Sequence, residues 1–178
     1  MTLRPLRPDD EATVRVWLAA FLAQHQTWWA EGYGRGPAAD LSELVDREWQ
    51  ELQVAAASER RLVAVLEHGG LEHGGQGASG QDSAGQALGI VQAGVRADRT
   101  LGFQIGALQW IYLDPAARGR RLADELMRHA LAWMDAQGVS GREVFVTALN
   151  PAAVRLYRRH GFEVADHRML APAPGPLP

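Results

Sequence analysis

Apolar residues change their spacing several times along the chain, and each change marks an element. "TLRPLRP" is short, extended and bounded by prolines, which predicts a first strand. After Asp9 or Asp10, either of which can cap, Val14, Trp17, Leu18 and Phe21 recur at helical spacing. "HQTWWAEGYGRGP" carries glycines and a proline and is expected to break that helix. Asp40, with Glu43 three residues on, is a capping-box signature for a second helix bearing Leu41, Leu44, Val45, Trp49 and Leu52. "RLVAVLE", "ALGIVQAGV" and "ALQWIYL" are rich in apolar and β-branched residues and read as strands. In "LADELMRHALAWMDAQG", Leu122, Leu126, Ala130 and Trp133 lie beside Ala123, Met127, Leu131 and Met134 on one broad helical face, stopped by Gly138. "EVFVTAL" then reads as a strand, Asn150-Pro151 opens a helix that Gly161 ends, and "EVADHRML" supplies one more strand.

Residues 69–86 break this order: they hold seven glycines and almost nothing able to bury surface, so a flexible hairpin loop is expected. His68 and His73 sit in and beside it, but a metal needs ligands held by a fixed outer shell, and no metal is expected. No repeat or long linker divides the chain. It reads as one domain over residues 1–170, followed by a proline-rich tail at 171–178.

Charge and composition remove whole classes of function. The net charge of -3 gives no electrostatic reason for a nucleic-acid partner. With no cysteine there is no disulfide, thiolate metal site or cysteine nucleophile, which suits the reducing cytoplasm. "MTLRPLRPDDEATV" has no apolar core of a secretory signal, and "VWLAAFLA" is far too short to span a membrane.

The candidate chemistry begins at "DPAARGRRLA", where a strand meets a helix N-terminus. Free backbone N–H groups and the positive end of the helix converge there, and Arg118, Arg120 and Arg121 add charge suited to phosphate. A solvated basic turn is the plainer reading of "RGR" alone. The spacing is neither that of a Walker A loop nor that of a dinucleotide fingerprint.

"LDPAARGRRLADELM" resembles the acyl-CoA signature of the GNAT N-acetyltransferase superfamily, [QR]-x-x-G-x-[GA], with Arg118 leading and Ala123 closing. "LNPAAVRLYRRHGF" resembles the family's second motif, with Asn150, Ala153, Tyr157, Gly161 and Phe162 in register. The resemblance implies an α/β fold: a mixed twisted sheet, splayed at the CoA site and flanked by helices. It implies acetyl-CoA as co-substrate, an N-acyltransferase and a primary-amine acceptor. It places the CoA phosphates against Arg118, Gly119, Arg120, Arg121, Leu122 and Ala123. It places the pantetheine and acyl group along a β-bulge at Ile111, Tyr112 and Leu113, with Asn150 and Ala153 nearby and Tyr157 as the acid for the leaving thiolate. Each has a bland counterpart: strand core for Ile111 to Leu113, a helix cap for Asn150, a packed core ring for Tyr157. One position departs from the signature, because Arg121 stands where the family has its central glycine.

No general base is assigned. The positions aligned with the glutamate of many relatives are Ala107 and Phe145, neither able to serve. His25, Glu31, Glu143 and Gln109 are fallbacks, each with a simpler surface or loop role. The resemblance puts the acceptor pocket near the first two helices, where His25, Trp28, Trp29 and Tyr33 crowd together and the aromatic faces, with Glu31 nearby, could receive a cation. The tryptophans equally suit core or a homodimer contact. A non-catalytic acyl-CoA-binding module and a transferase for protein N-termini or lysines remain as alternatives.

Overall fold

The computed structural model describes residues 1–34, 36, 39–69, 85–100 and 102–166. Most of the glycine-rich segment 69–86, the second half of "EVADHRML" and the tail 171–178 lie outside the described residues. The chain runs β1 (Thr2–Pro5), α1 (Glu11–Tyr33), α2 (Leu41–Ala56), β2 (Arg61–His68), β3 (Gln86–Ala97) and β4 (Gln104–Leu113), then α3 (Leu122–Ala136), β5 (Gly141–Val144) and α4 (Pro151–Arg159). Short 3-10 turns occupy Pro8–Asp10 and Pro115–Ala117. The described strands form one sheet in the order β1-β2-β3-β4-β5, antiparallel except for the parallel pair β4–β5. A parallel pair needs a crossover, and α3 supplies it.

Helices cover both faces, so each face buries its own apolar set. On one, Val14, Trp17, Trp49 and Leu52 of α1 and α2 pack on Val63, Val65, Ile90 and Trp110. On the other, Leu126, Met127, Ala130 and Met134 of α3, with Leu156 and Tyr157 of α4, pack on Leu66, Val91 and Leu108. The fold is the mixed α/β sheet that the sequence implies.

Four local expectations change. The segment from His25 does not break α1, which continues to Tyr33 and stops at Gly34, left-handed at φ 63°. Packing of its aromatic side chains outweighs the roughly 1 kcal/mol by which glycine disfavours a helix interior. Neither Asp9 nor Asp10 caps α1 through its side chain. The strand expected over residues 143–149 is instead Gly141–Val144, and Phe145 beyond it is 85% exposed. Residues 163–166 form no strand.

The Asp10 carboxylate is engaged elsewhere, in a buried ion pair that ties β1 to the start of α1. Arg4 donates to both Asp10 oxygens at 2.7 Å and through Nε to Glu67 of β2 at 2.6 Å, while the Arg7 N–H reaches Asp10 Oδ2 at 2.8 Å. Burial pushes the Asp10 carboxyl up, but the Arg4 guanidinium and the Arg7 N–H hold it below the usual carboxylate range. A depressed folded-state value contributes stability above the unfolded pKa of about 3.9, which is lost as pH falls through the lower folded value. Arg4→Ala leaves a buried carboxylate without its counter-charge. It is expected to lower stability at pH 7 by about 3–5 kcal/mol in urea unfolding. The difference from wild type should narrow below about pH 4, as Asp10 protonates in both proteins. A difference that stays constant down to pH 3 would show that the pair acts through packing alone.

Candidate active site

The centre of the site is a gap in the sheet. β5 pairs with β4 only from Ile105↔Gly141 to Leu108↔Val144, so among the described residues the edge of β4 over residues 109–113 has no strand beside it. The break coincides with a bulge: Gln92 of β3 faces Trp110 and Ala93 faces Leu108, leaving Gln109 as the extra residue. A bulge increases local twist and turns a strand away from its neighbour. The bulge therefore lies just before the expected positions Ile111, Tyr112 and Leu113, which form the unpaired edge itself. Unpaired backbone N–H and C=O groups seek partners, and an extended amide-bearing chain can supply them.

The edge leads straight into the arginine turn. Asp114 accepts from the Ala116 N–H at 2.9 Å and from Trp17 Nε1 at 3.2 Å, fixing the end of β4 under α1. Gly119 is left-handed at φ 79°, and Arg121 at φ 58° is the one non-glycine with positive φ among the described residues. This identifies what a glycine at that signature position does for the backbone. Arg121 is also the N-cap of α3 and makes no side-chain cap, so the first N–H groups of α3 face outward without a side-chain acceptor. Arg120 and Arg121 are exposed, and their side chains have no hydrogen bond or ion pair to a described residue. Arg118 is exposed too, but folds back: its Nε donates to the Leu113 carbonyl at 3.3 Å and its guanidinium lies 5.7 Å from the Tyr112 ring centre. Leu122 is buried and Ala123 half-buried, anchoring the turn to the core. The turn has the free donors and the charge an anion requires.

Tyr157 is 8% exposed and packs on the α3–α4 side, 6.1 Å from Phe162 between ring centres. Burial pushes its phenol up to about 12, so it stays protonated at neutral pH. Asn150 caps α4 by accepting from the Ala153 N–H at 3.1 Å, so the capping reading holds for its Oδ1. One feature has no local sequence signal. Asp124, in the first turn of α3, accepts from His160 Nε2 at 2.9 Å and from Arg159 Nη2 at 3.1 Å, joining the arginine turn to the end of α4. Burial opposes its charge, but these partners hold the Asp124 carboxyl below its usual value.

On the opposite face α1 roofs the gap. Phe21 meets Trp110 edge-on at 5.7 Å, and a β-carbon at Gly32 would stand 2.4 Å from Leu149 Cδ1, beyond β5. Trp110 Nε1 is, among the described residues, the buried side-chain nitrogen without a hydrogen-bond partner. Of the candidate bases, Glu143 is held by Arg96 through two bonds of 2.7 Å, Glu31 is exposed near the end of α1, and Gln109 is exposed beside Gly94. The Trp29 and Tyr33 rings lie 5.1 Å apart between centres, tilted to one another. Among the described residues no three His, Asp or Glu side chains gather as metal ligands, and no helix is long and apolar enough to cross a membrane.

A profile of the acetyltransferase (GNAT) family matches residues 39–162. The chain belongs to the GNAT acetyltransferase family. A mycothiol acetyltransferase from Brachybacterium faecium is 44% identical over 52 residues, 29% of this chain but only 16% of that protein. Among solved structures, a transcriptional regulator from Bacillus halodurans C-125 superposes with a TM-score of 0.66 at 17% identity, covering 96% of this chain and 97% of its own. AAC(6')-Iy, in complex with the bisubstrate analogue CoA-S-monomethyl-acetylneamine, gives 0.62 at 14% identity, covering 98% of each chain. At these identities the structures establish the fold.

Arg121 offers a direct test of the turn. A side chain in the left-handed region costs about 1–2 kcal/mol, partly offset in a glycine variant by the entropy of its unfolded chain. Arg121→Gly is therefore expected to melt at or slightly above wild type, while Arg121→Val, β-branched, should melt below it. A glycine variant clearly less stable than wild type would mean that the side chain, and not the backbone, defines this position.

Proposed function

We propose that this chain transfers the acetyl group of acetyl-CoA to a primary amine by direct attack. The observation that carries the reading is the coincidence of the unpaired β4 edge with the uncapped, arginine-bearing start of α3. A pantetheine arm can pair with the edge while the pyrophosphate meets the N–H groups of residues 122 and 123 and the charges of Arg118, Arg120 and Arg121. The start of α3 lies on one face of the sheet and α1 on the other, which assigns donor and acceptor to opposite sides of the edge. Names of relatives that carry mycothiol and an acetylneamine analogue favour a small-molecule acceptor over a protein. The absence of cysteine suits work in the cytoplasm.

An alkylammonium is only about one part in a thousand neutral near pH 7.4, so it must first lose a proton. The neutral nitrogen then attacks the thioester carbon, and the oxyanion collapses with cleavage of the C–S bond. The departing thiolate takes the proton of the Tyr157 phenol, and the phenolate recovers one from the nitrogen of the adduct. Asn150 holds the start of α4, and Asp124 holds its end against α3, which fixes Tyr157 relative to the phosphate turn.

Two variants separate binding from chemistry. Arg118→Ala should weaken CoA binding in calorimetry by several-fold, as expected for loss of one charge-assisted contact. Tyr157→Phe keeps the ring, so CoA affinity should change by less than about 1 kcal/mol, while single-turnover acyl transfer slows by about 10²–10⁴-fold. An undiminished rate in folded Tyr157→Phe would remove the acid role. CoA binding with no thiol release across an amine panel would favour the binding-module reading, for which the missing carboxylate at Ala107 and Phe145 speaks.

A further inference from the structure

Phe21, His25, Trp28 and Gly32 stand at i, i+4, i+7 and i+11 of α1 and so form one stripe along the helix. The two ends of the stripe are fixed by contact: Phe21 lies on Trp110 of β4, and Gly32 lies against Leu149 beyond the end of β5. The middle of the stripe therefore crosses the gap between the two strands. His25 and Trp28 occupy that middle, their rings 5.0 Å apart, with His25 4.1 Å from Phe21.

The protonation pattern of His25 follows from its one hydrogen bond. Its Nδ1 lies 2.9 Å from the Phe21 carbonyl oxygen, and a carbonyl only accepts. The hydrogen of the neutral imidazole is thus on Nδ1, which leaves the lone pair on Nε2. No described residue hydrogen-bonds Nε2, and the ring is half-buried with its position set by Phe21 and Trp28. The other candidates are excluded: Glu143 is held by Arg96, Glu31 is exposed near the end of the helix, and the Gln109 amide is no base.

We propose that His25 is the general base of the reaction, its Nε2 removing the proton of the incoming ammonium directly or through one water. The inference rests on the acyltransferase reading above. In balance, Nε2 takes one proton from R–NH3+ and becomes imidazolium, the nitrogen lone pair forms the C–N bond, and the C–S bond breaks toward sulfur. The thiolate is protonated by Tyr157, the phenolate recovers the second nitrogen proton, and the imidazolium returns its proton to solvent. The products are the amide, CoA thiol and one proton. No redox partner is needed. The base acts from the α1 face and the acid from the α4 face, on the two sides of one opening.

The test compares three proteins in acetyl-CoA-dependent thiol release with an amine accepted by wild type. His25→Asn retains an amide able to donate to the Phe21 carbonyl but has no atom at Nε2; His25→Ala removes both. Both variants should lose about 10²–10⁴-fold in kcat with CoA affinity and melting temperature close to wild type. Added imidazole should restore activity to His25→Ala in a saturable manner and leave wild type unchanged. A merely structural histidine would not give that rescue. If folded His25→Asn turns over like wild type, or if imidazole does nothing for a slowed, folded His25→Ala, the base assignment is wrong while the acyltransferase reading stands. If wild type binds acetyl-CoA and transfers to no amine, both fail together.

Discussion

A strand with no neighbour on one side is the constraint around which this molecule is arranged. Backbone donors and acceptors inside a sheet ordinarily pair, and leaving them unpaired is unfavourable unless water or a ligand completes them. β4 meets β5 for four residue pairs, is pushed aside by the bulge at Gln109, and then runs to Leu113 paired with β3 only, among the described residues. What surrounds that edge keeps the opening from collapsing. Asp114 and Trp17 hold its far end to α1, Phe21 and Leu149 span it from above, and α3 with α4 closes the other face. The buried Arg4–Asp10–Glu67 cluster acts further back, holding the root of α1 to the first two strands so that the helix keeps its course over the gap.

Electrostatics then distinguishes the two faces of the opening. Arg118, Arg120 and Arg121 collect at the start of α3, where the helix dipole adds to their charge. Asp124 would oppose an anion there, but Arg159 of α4 offsets its charge and His160, at the end of α4, hydrogen-bonds to it. The same contacts bind α4 to the turn, so the helix that carries Tyr157 is registered to the place where phosphate would sit. The α1 face is aromatic and holds His25 as its polar group in mid-stripe. A large anionic donor suits the first face and a compact amine the second.

Much of this was legible in the sequence because it is local. Helix α3 announces itself by period and by its glycine stop, and the cap of α4 by Asn150-Pro151. The arginine turn follows from their order, and the family signatures set Arg118 and Tyr157 in register. The misread segments are those where packing overrides local preference. Gly32 inside α1 reads as a breaker, yet it is the residue small enough to admit Leu149. Residues 143–149 alternate like a strand, but a strand needs a partner, and the bulge at Gln109 removes it beyond Val144. The join of Asp124 to His160 spans 36 positions and the stripe over the gap depends on contacts with β4 and Leu149, so neither leaves a trace in any short window. Arg121 is a mixed case: the signature shows that glycine is missing, and only the backbone angle shows why it was there.

The central claim is that the opening between β4 and β5 seats the thioester. A crystal structure of the chain with a non-transferable acetyl-CoA analogue tests it most directly. The account predicts the acyl carbonyl within about 3 Å of a backbone N–H of residues 109–113. It also predicts the pyrophosphate at residues 118–123 and β5 still parted from β4 beyond Leu108. An analogue bound elsewhere, or a sheet closed through Leu113 with CoA outside it, would contradict the account.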